Sequence, residues 1–210
     1  MAARGRLIAL EGPEASGKST QARLLAEALG AVLTREPGGT ATGGRVRSLL
    51  LDSGASRIDA RTEALLMLAD RAQHVSEILE PALSSGRWVV TDRFSASLLA
   101  YQGFGRGLDV AELRRLTSWA SGGLWPDLTV LLDVPPEQAA ARQSRELDRL
   151  EREDGAFHQR VVGGYQALAA AERATWAVVD GSGAEAEVAG RVLAVVTERL
   201  GAPGGVTRPE

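Results

Sequence analysis

The sequence predicts an α/β protein: a five-stranded parallel sheet flanked by helices. Three observations predict it. Short apolar runs alternate with longer helical stretches along the chain, which is the signature of successive βαβ units. The first apolar run, Leu7-Ile8-Ala9-Leu10, leads directly into the glycine-rich stretch Gly12-Pro13-Glu14-Ala15-Ser16-Gly17-Lys18-Ser19-Thr20 and then a helical pattern. With 210 residues, 44% of them hydrophobic, the chain is long enough to bury about 70% of its unfolded surface around one core.

In chain order, strand Leu7–Leu10 is followed by helix Thr20–Leu29, whose Leu24, Leu25, Ala28 and Leu29 recur at helical spacing. Strand Ala31–Leu33 precedes helices Arg45–Leu50 and Ala60–Leu83. Strand Trp88–Thr91 precedes helix Val110–Ala120, and strand Leu128–Leu132 precedes helices Glu137–Glu151 and Phe157–Ala174. Strand Ala177–Val179 and helix Ala186–Leu200 complete the pattern. Gly201–Glu210, rich in Gly and Pro, reads as a frayed tail. No internal repeat or linker divides residues 1–200, so a single domain is expected.

The stretch Gly12 to Thr20 fits G-x-x-x-x-G-K-[ST] at every specified position. Glycine is needed there because backbone N–H groups must wrap phosphate oxygens with no Cβ in the way, and the following helix points its positive end at them. Lys18 is the only lysine among 24 Lys and Arg residues together. Arginine suits planar bidentate contacts. Lysine offers a compact point charge on a flexible stem, the shape that reaches between the β- and γ-phosphates of a nucleotide. Gly12 to Thr20 are therefore expected to hold the phosphates of a nucleotide as a P-loop, and the resemblance given below implies that this nucleotide is ATP.

Ligands of such sheets bind beyond the carboxyl ends of the strands, where Asp92, Asp133 and Asp180 stand. A P-loop site needs a carboxylate near the Mg²⁺ that bridges the phosphates. Asp92 is the candidate, with Ser19 as hydroxyl ligand, because Arg93 follows and sets a phosphate-binding cation beside it. Asp133, before Val134-Pro135-Pro136, reads as a cap or turn, and Asp180-Gly181 as a turn. Arg142, Arg145, Arg149 and Arg152 are spaced to share one helix face. Glu146, Asp148, Glu151, Glu153 and Asp154 are interleaved with them, so the pattern fits either a salt-bridged surface helix or a lid over about 142–155 that neutralises transferring phosphate.

A net charge of −3 and 4% aromatic residues argue against a nucleic-acid groove. Cysteine is absent, excluding disulfides, thiolate nucleophiles and cysteine metal sites. No apolar run approaches the length of a membrane span. A soluble cytoplasmic protein is expected. His74 and His158 are expected on helix surfaces. A regulatory GTPase is disfavoured because its guanine-reading motif requires asparagine and the chain has none. A kinase for another small molecule remains the rival reading.

The segments Arg35-Glu36-Pro37-Gly38-Gly39-Thr40, Arg47-Ser48-Leu49-Leu50-Leu51, Ala69-Asp70-Arg71-Ala72-Gln73-His74, Thr91-Asp92-Arg93, Ala100-Tyr101-Gln102-Gly103, Pro126-Asp127-Leu128-Thr129 and Leu147-Asp148-Arg149-Leu150-Glu151, with the P-loop, resemble the bacterial thymidylate kinase family from Leu7 to about Leu200. The resemblance implies transfer of the γ-phosphoryl group of ATP to dTMP, with Mg²⁺ and a homodimer. It implies that Glu14 contacts the deoxyribose 3′-hydroxyl, that Pro37 walls the sugar pocket and that Tyr101 leaves no room for a 2′-hydroxyl. Arg47, Arg71 and Arg93 match the cations around the monophosphate and base, and Gln102 an amide lining the thymine pocket. Lys18, Asp92, Arg93, Arg145 and Arg149 are the implied catalytic set, the last two from the lid, since Pro13 to Ser16 contain no arginine. Two positions depart from the family pattern. Met67 stands where a phenylalanine usually stacks on thymine, and Leu98 where a small hydroxyl residue is common. Phe94 replaces a more usual polar ring after Asp92-Arg93.

Overall fold

A computed structural model describes residues 3–52, 58–141 and 147–202. Strands β1 (Leu7–Glu11), β2 (Val32–Arg35), β3 (Val89–Asp92), β4 (Leu128–Asp133) and β5 (Trp176–Asp180) form one parallel sheet in the order β2-β3-β1-β4-β5. In the centre, Leu7 of β1 pairs with Val89 of β3, and Ile8 with Leu128 of β4. The chain leaves β1 toward one edge and later returns to build the other, so the end of β1 is the topological switch point, where ligands of such sheets bind.

All five expected strands are present, and each runs one or two residues further than its apolar stretch. The added ends are Glu11, Arg35, Asp92, Asp133 and Asp180. Ladder hydrogen bonds do not require apolar side chains: Arg93 N–H still reaches the Leu10 carbonyl, and Glu36 N–H the Asp92 carbonyl. The carboxyl edge of the sheet is therefore a row of charge.

The helices are α1 (Lys18–Leu29), α2 (Ala41–Leu51), α3 (Ala60–His74), α4 (Glu80–Ser84), α5 (Ser95–Leu98), α6 (Val110–Ala120), α7 (Pro136–Ala141), α8 (Gly155–Ala171) and α9 (Glu185–Leu200). On one face of the sheet Ile8, Leu10, Val90, Val130 and Leu132 pack against Ala22 and Leu25 of α1 and Val188, Val192 and Val196 of α9. On the other face Leu7, Ala9 and Val89 meet Leu79, Leu83 and Phe94. A third cluster joins Leu131 and Trp176 to Tyr101, Phe157, Val161 and Tyr165.

The helix expected over Ala60–Leu83 is one helical run whose turns widen at Val75–Leu79 before continuing as α4. The widening immediately precedes Pro81, which cannot donate a hydrogen bond and whose ring would strike the preceding turn of a regular helix. Helix α2 begins four residues before the expected Arg45, because the Thr40 hydroxyl accepts from Gly43 N–H at 2.9 Å and so caps it. Residues Ser95–Gly105, given no element from sequence, are helical, with wide turns over Leu99–Gly105. Nearly every residue there is buried, so no polar stripe marks the period.

The helix expected over Glu137–Glu151 is corrected. Within the described residues α7 occupies Pro136–Ala141, and 147–153 is not helical. Asp148 Oδ1 accepts from the N–H groups of Leu150 and Glu151, while Glu151 Oε2 accepts from Asp148 N–H. These short-range bonds compete with helix formation. Arg149 and Arg152 thus lack the shared helix face that the spacing suggested. Arg142 and Arg145, and all but the first two residues of the 201–210 tail, lie outside the described residues.

Candidate active site

The P-loop takes its shape from residues that tolerate positive φ: Gly12 at 148° and Gly17 at 91°, with Ala15 at 56°. A Cβ on Gly12 would stand 2.8 Å from the Leu132 carbonyl oxygen. Lys18, the first residue of α1, is 6% exposed and donates through Nζ to the Pro13 carbonyl at 2.7 Å. Burial lowers its pKa to about 8, and the Arg93 charge acts in the same direction. Beside it, Ser19 Oγ donates to Asp92 Oδ2 at 2.5 Å. Asp92 Oδ1 is buried with no partner among the described residues, leaving a hard oxygen acceptor at the end of β3.

Arg93 is the centre of the acceptor side. It adopts φ 70° directly after β3, which turns its side chain back across the end of β1. Nη2 donates to Glu14 Oε1 at 2.5 Å, and Nη1 to Ser97 Oγ at 3.0 Å and the Tyr165 hydroxyl at 3.1 Å. Burial opposes its charge, yet Glu14, the two tyrosines and Asp92 hold its pKa well above the ordinary arginine value. The Tyr101 hydroxyl donates to the same Glu14 oxygen at 2.8 Å. Glu14 is thereby held between a cation and a phenol.

Below this layer Glu11, at the end of β1, is fully buried and accepts from Phe94 N–H, Ser97 Oγ and the Tyr165 hydroxyl. Burial raises its pKa despite Arg93 nearby. On α3, Arg71 Nε and Nη2 both donate to Glu36 Oε2, at 2.9 and 2.7 Å, with its guanidinium 4.9 Å from the centre of the Phe94 ring. Arg71 Nη1 has no partner among the described residues. The apolar ring of Phe94 therefore carries a cation near its face.

These groups line one cleft of about 880 Å³, open mouth included. It gathers Glu14, Lys18, Ser19, Pro37, Arg47, Met67, Arg71, Asp92, Arg93, Leu98, Tyr101 and Gln102, so every dTMP residue named from sequence lies in it. A second cleft, on the other side of the P-loop, is lined by Glu14 to Gln21 with Gly181, Gly183, Glu185 and Val188. The two clefts share Glu14, Lys18 and Ser19.

Three expectations need correction or completion. His74 is not on a helix surface: it is fully buried, with Nδ1 2.8 Å from Glu36 Oε1 and Nε2 2.7 Å from Thr34 Oγ1. Its side of α3 faces the end of β2, which periodicity within a polar-looking segment did not disclose. Arg149 does not face the P-loop here; Nε donates to the Leu50 carbonyl at 2.8 Å and Nη2 to Glu63 Oε2 at 2.6 Å. Sequence reasoning also missed Glu11, Glu36, Ser97, Tyr165 and Glu63 as members of the site's hydrogen-bond network. The signal for Glu11 and Glu36 was their place just beyond two strands. Ser97, Tyr165 and Glu63 carried none. Asp180 does form a turn, Oδ1 accepting from Ser182 N–H at 2.9 Å.

A P-loop at the switch point, with a cation-rich cleft on one side and an open groove on the other, defines a phosphotransferase with two adjoining substrate pockets. Residues 10–192 match the thymidylate kinase family. A thymidylate kinase from Synechococcus sp. (strain JA-2-3B'a(2-13)) is 50% identical over 198 residues, covering 92% of this chain and 95% of its own. One from Solidesulfovibrio magneticus is 46% identical over 207 residues, covering 92% and 99%. The crystal structure of thymidylate kinase from Ehrlichia chaffeensis superposes with a TM-score of 0.77 at 30% identity, covering 92% of this chain and 99% of that one. The chain belongs to the thymidylate kinase family, the kinases that phosphorylate dTMP to dTDP.

Proposed function

We propose that this chain transfers the γ-phosphoryl group of ATP directly to dTMP, with dTMP in the Arg93 cleft and ATP along the outer face of the P-loop. The observation that supports the reading is that the two clefts share Glu14, Lys18 and Ser19, an arrangement that suits transfer between two nucleotides bound side by side. Lys18 and the P-loop N–H groups hold the donor phosphates, and Arg93 orients the acceptor phosphate. That phosphate is already ionised, so no general base is required. Glu14 receives the deoxyribose 3′-hydroxyl, Pro37 and Tyr101 bound the sugar, and Arg47 and Arg71 face the monophosphate and base.

Ser19 Oγ and the unpartnered Asp92 Oδ1 are the hard oxygen donors that suit Mg²⁺. Mg²⁺ would supply charge neutralisation on the phosphates of the donor. Residues 1–200 act as one domain with a lid over about 142–155. Use of Arg149 in catalysis requires that it leave Glu63 and Leu50; Arg145 is the second lid candidate.

Among the described residues no helix is long and apolar enough to cross a membrane. A cytoplasmic homodimer completes the proposal. Exposed Leu49 on α2, Leu65 on α3 and Trp119 on α6, helices that pack consecutively, support the dimer, and light scattering of the purified chain tests it. The activity itself is tested by coupled ADP release with dTMP, dUMP, UMP, CMP, AMP and GMP as acceptors. Turnover fastest with another acceptor would overturn the substrate assignment.

Met67 and Leu98 both line the cleft, so the two departures fall where the base is proposed to lie. Met67→Phe is expected to tighten dTMP by about 0.5–1.5 kcal/mol through restored ring stacking. Leu98→Ser is expected to lower the preference for dTMP over dUMP, since a buried methyl contact is worth roughly 1 kcal/mol. Calorimetric dTMP affinities and a dTMP/dUMP ratio of kcat/KM measure both. Unchanged values in both variants would move thymine out of this part of the cleft.

A further inference from the structure

The chemistry of one buried carboxylate decides which half of an amide faces the base. Glu63, on α3, is fully buried and saturated with donors. Its Oε1 accepts from Gln102 Nε2 at 2.8 Å and Arg106 Nε at 3.2 Å; its Oε2 accepts from Arg106 Nη2 at 3.1 Å and Arg149 Nη2 at 2.6 Å. Burial alone would raise its pKa, but the bonds from Arg106, Gln102 and Arg149 outweigh it and keep the carboxyl below its ordinary value. An ionised carboxylate accepts and cannot donate. Facing it, the Gln102 amide has one tolerable orientation, NH₂ toward Glu63. The carbonyl would otherwise meet a buried negative charge.

Gln102 is itself fully buried, its Oε1 has no partner among the described residues, and it lines the cleft. Among the described residues the cleft thus contains two buried unpartnered acceptors, Gln102 Oε1 and Asp92 Oδ1, and one buried unpartnered donor, Arg71 Nη1; Asp92 Oδ1 sits beside Ser19 on the phosphate side, which leaves the Gln102 and Arg71 atoms to face a base. Thymine and uracil present a donor at N3 and an acceptor at O4. Cytosine presents the reverse, an acceptor at N3 and a donor at N4.

We infer that Glu63 is a specificity-determining positioning residue, which by fixing the Gln102 amide makes the cleft accept an oxo-pyrimidine and reject an amino-pyrimidine monophosphate. The inference rests on the proposed placement of the base in this cleft. It adds that selectivity is imposed by a residue that does not touch substrate. Arg106 and Arg149 contribute by keeping Glu63 ionised, which ties the 147–153 segment to the base pocket through one carboxylate.

The test is a double-mutant cycle read as the dTMP/dCMP ratio of kcat/KM. Glu63→Gln can donate to the Gln102 carbonyl and so permits the amide to turn. The ratio is expected to fall at least about tenfold, through a higher KM for dTMP more than through kcat. In a Gln102→Leu background the same substitution is expected to leave the ratio unchanged, because no amide remains to be oriented. An unchanged ratio in the single variant, or an equal fall in both backgrounds, would overturn the inference. If Gln102→Leu alone leaves the dTMP KM unaltered, the base is elsewhere and the placement falls together with the inference. Should Glu63→Gln fail to melt cooperatively, NMR of the parent protein decides. The Gln102 amide protons are expected to exchange slowly with and without dTMP; faster exchange on adding dTMP would mean that Glu63 does not retain them.

Discussion

Arg93→Lys is expected to lower turnover with dTMP by at least about 10³-fold, the range associated with loss of an arginine that stabilises transferring phosphate. The guanidinium serves Glu14, Ser97 and Tyr165 at once, with weaker contacts of 3.3 Å to the Gly12 carbonyl and 3.4 Å to the Tyr101 hydroxyl. An ammonium keeps the charge but cannot span that fan of acceptors, so Glu14 and the acceptor phosphate lose their common reference point. The backbone at φ 70° is equally strained for lysine, so the comparison isolates the side chain. Stability is expected to fall by about 1–3 kcal/mol from the lost bonds. Turnover within tenfold of the parent, in a variant with unchanged circular dichroism, would remove Arg93 from the acceptor site.

Lys18→Arg is expected to cut turnover at least about 10²-fold with the fold intact, because a planar guanidinium does not fit a slot in which Nζ lies 2.7 Å from the Pro13 carbonyl. The pKa of about 8 adds a linkage. It lies below the free-lysine value, so the charged form opposes folding. That penalty is complete below pH 8 and fades as pH rises from 8 toward 10.5, so this group stabilises the ligand-free protein with increasing pH. Donor phosphates reverse the preference, since they favour charged lysine. Above pH 8, binding of a non-hydrolysable ATP analogue is therefore expected to take up a proton and to weaken as pH rises. Calorimetry at pH 8.5 in buffers of different ionisation enthalpy measures the uptake, and Lys18→Arg is expected to abolish it. Uptake that persists in the variant would assign the proton to another group.

The class of sheet, the P-loop and most of the cleft's lining can be read from the amino-acid sequence alone. These features are local: an apolar run of strand length, a glycine where the backbone must pass close to phosphate, and a lysine where the rest of the chain uses arginine. The residues Glu14, Pro37, Arg47, Arg71, Arg93, Tyr101 and Gln102 were legible because their short segments are distinctive, and the fold brings all of them to one cleft.

The pairing of charge across distant segments emerges only in the folded chain. Glu63 meets Gln102 and Arg149, which are 39 and 86 residues away, and His74 reaches Glu36 across 38. No periodicity encodes such pairings, because a buried charged residue and a solvated one look alike until its partners converge. The same convergence overrode local pattern at Arg149. Spacing placed it on a helix with three other arginines, whereas Leu50 and Glu63 offer it a carbonyl and a buried carboxylate. Helix propensity contributes tenths of a kcal/mol per residue, while a charge-assisted bond to a buried partner contributes about 1.5–3 kcal/mol, so the long-range contact wins.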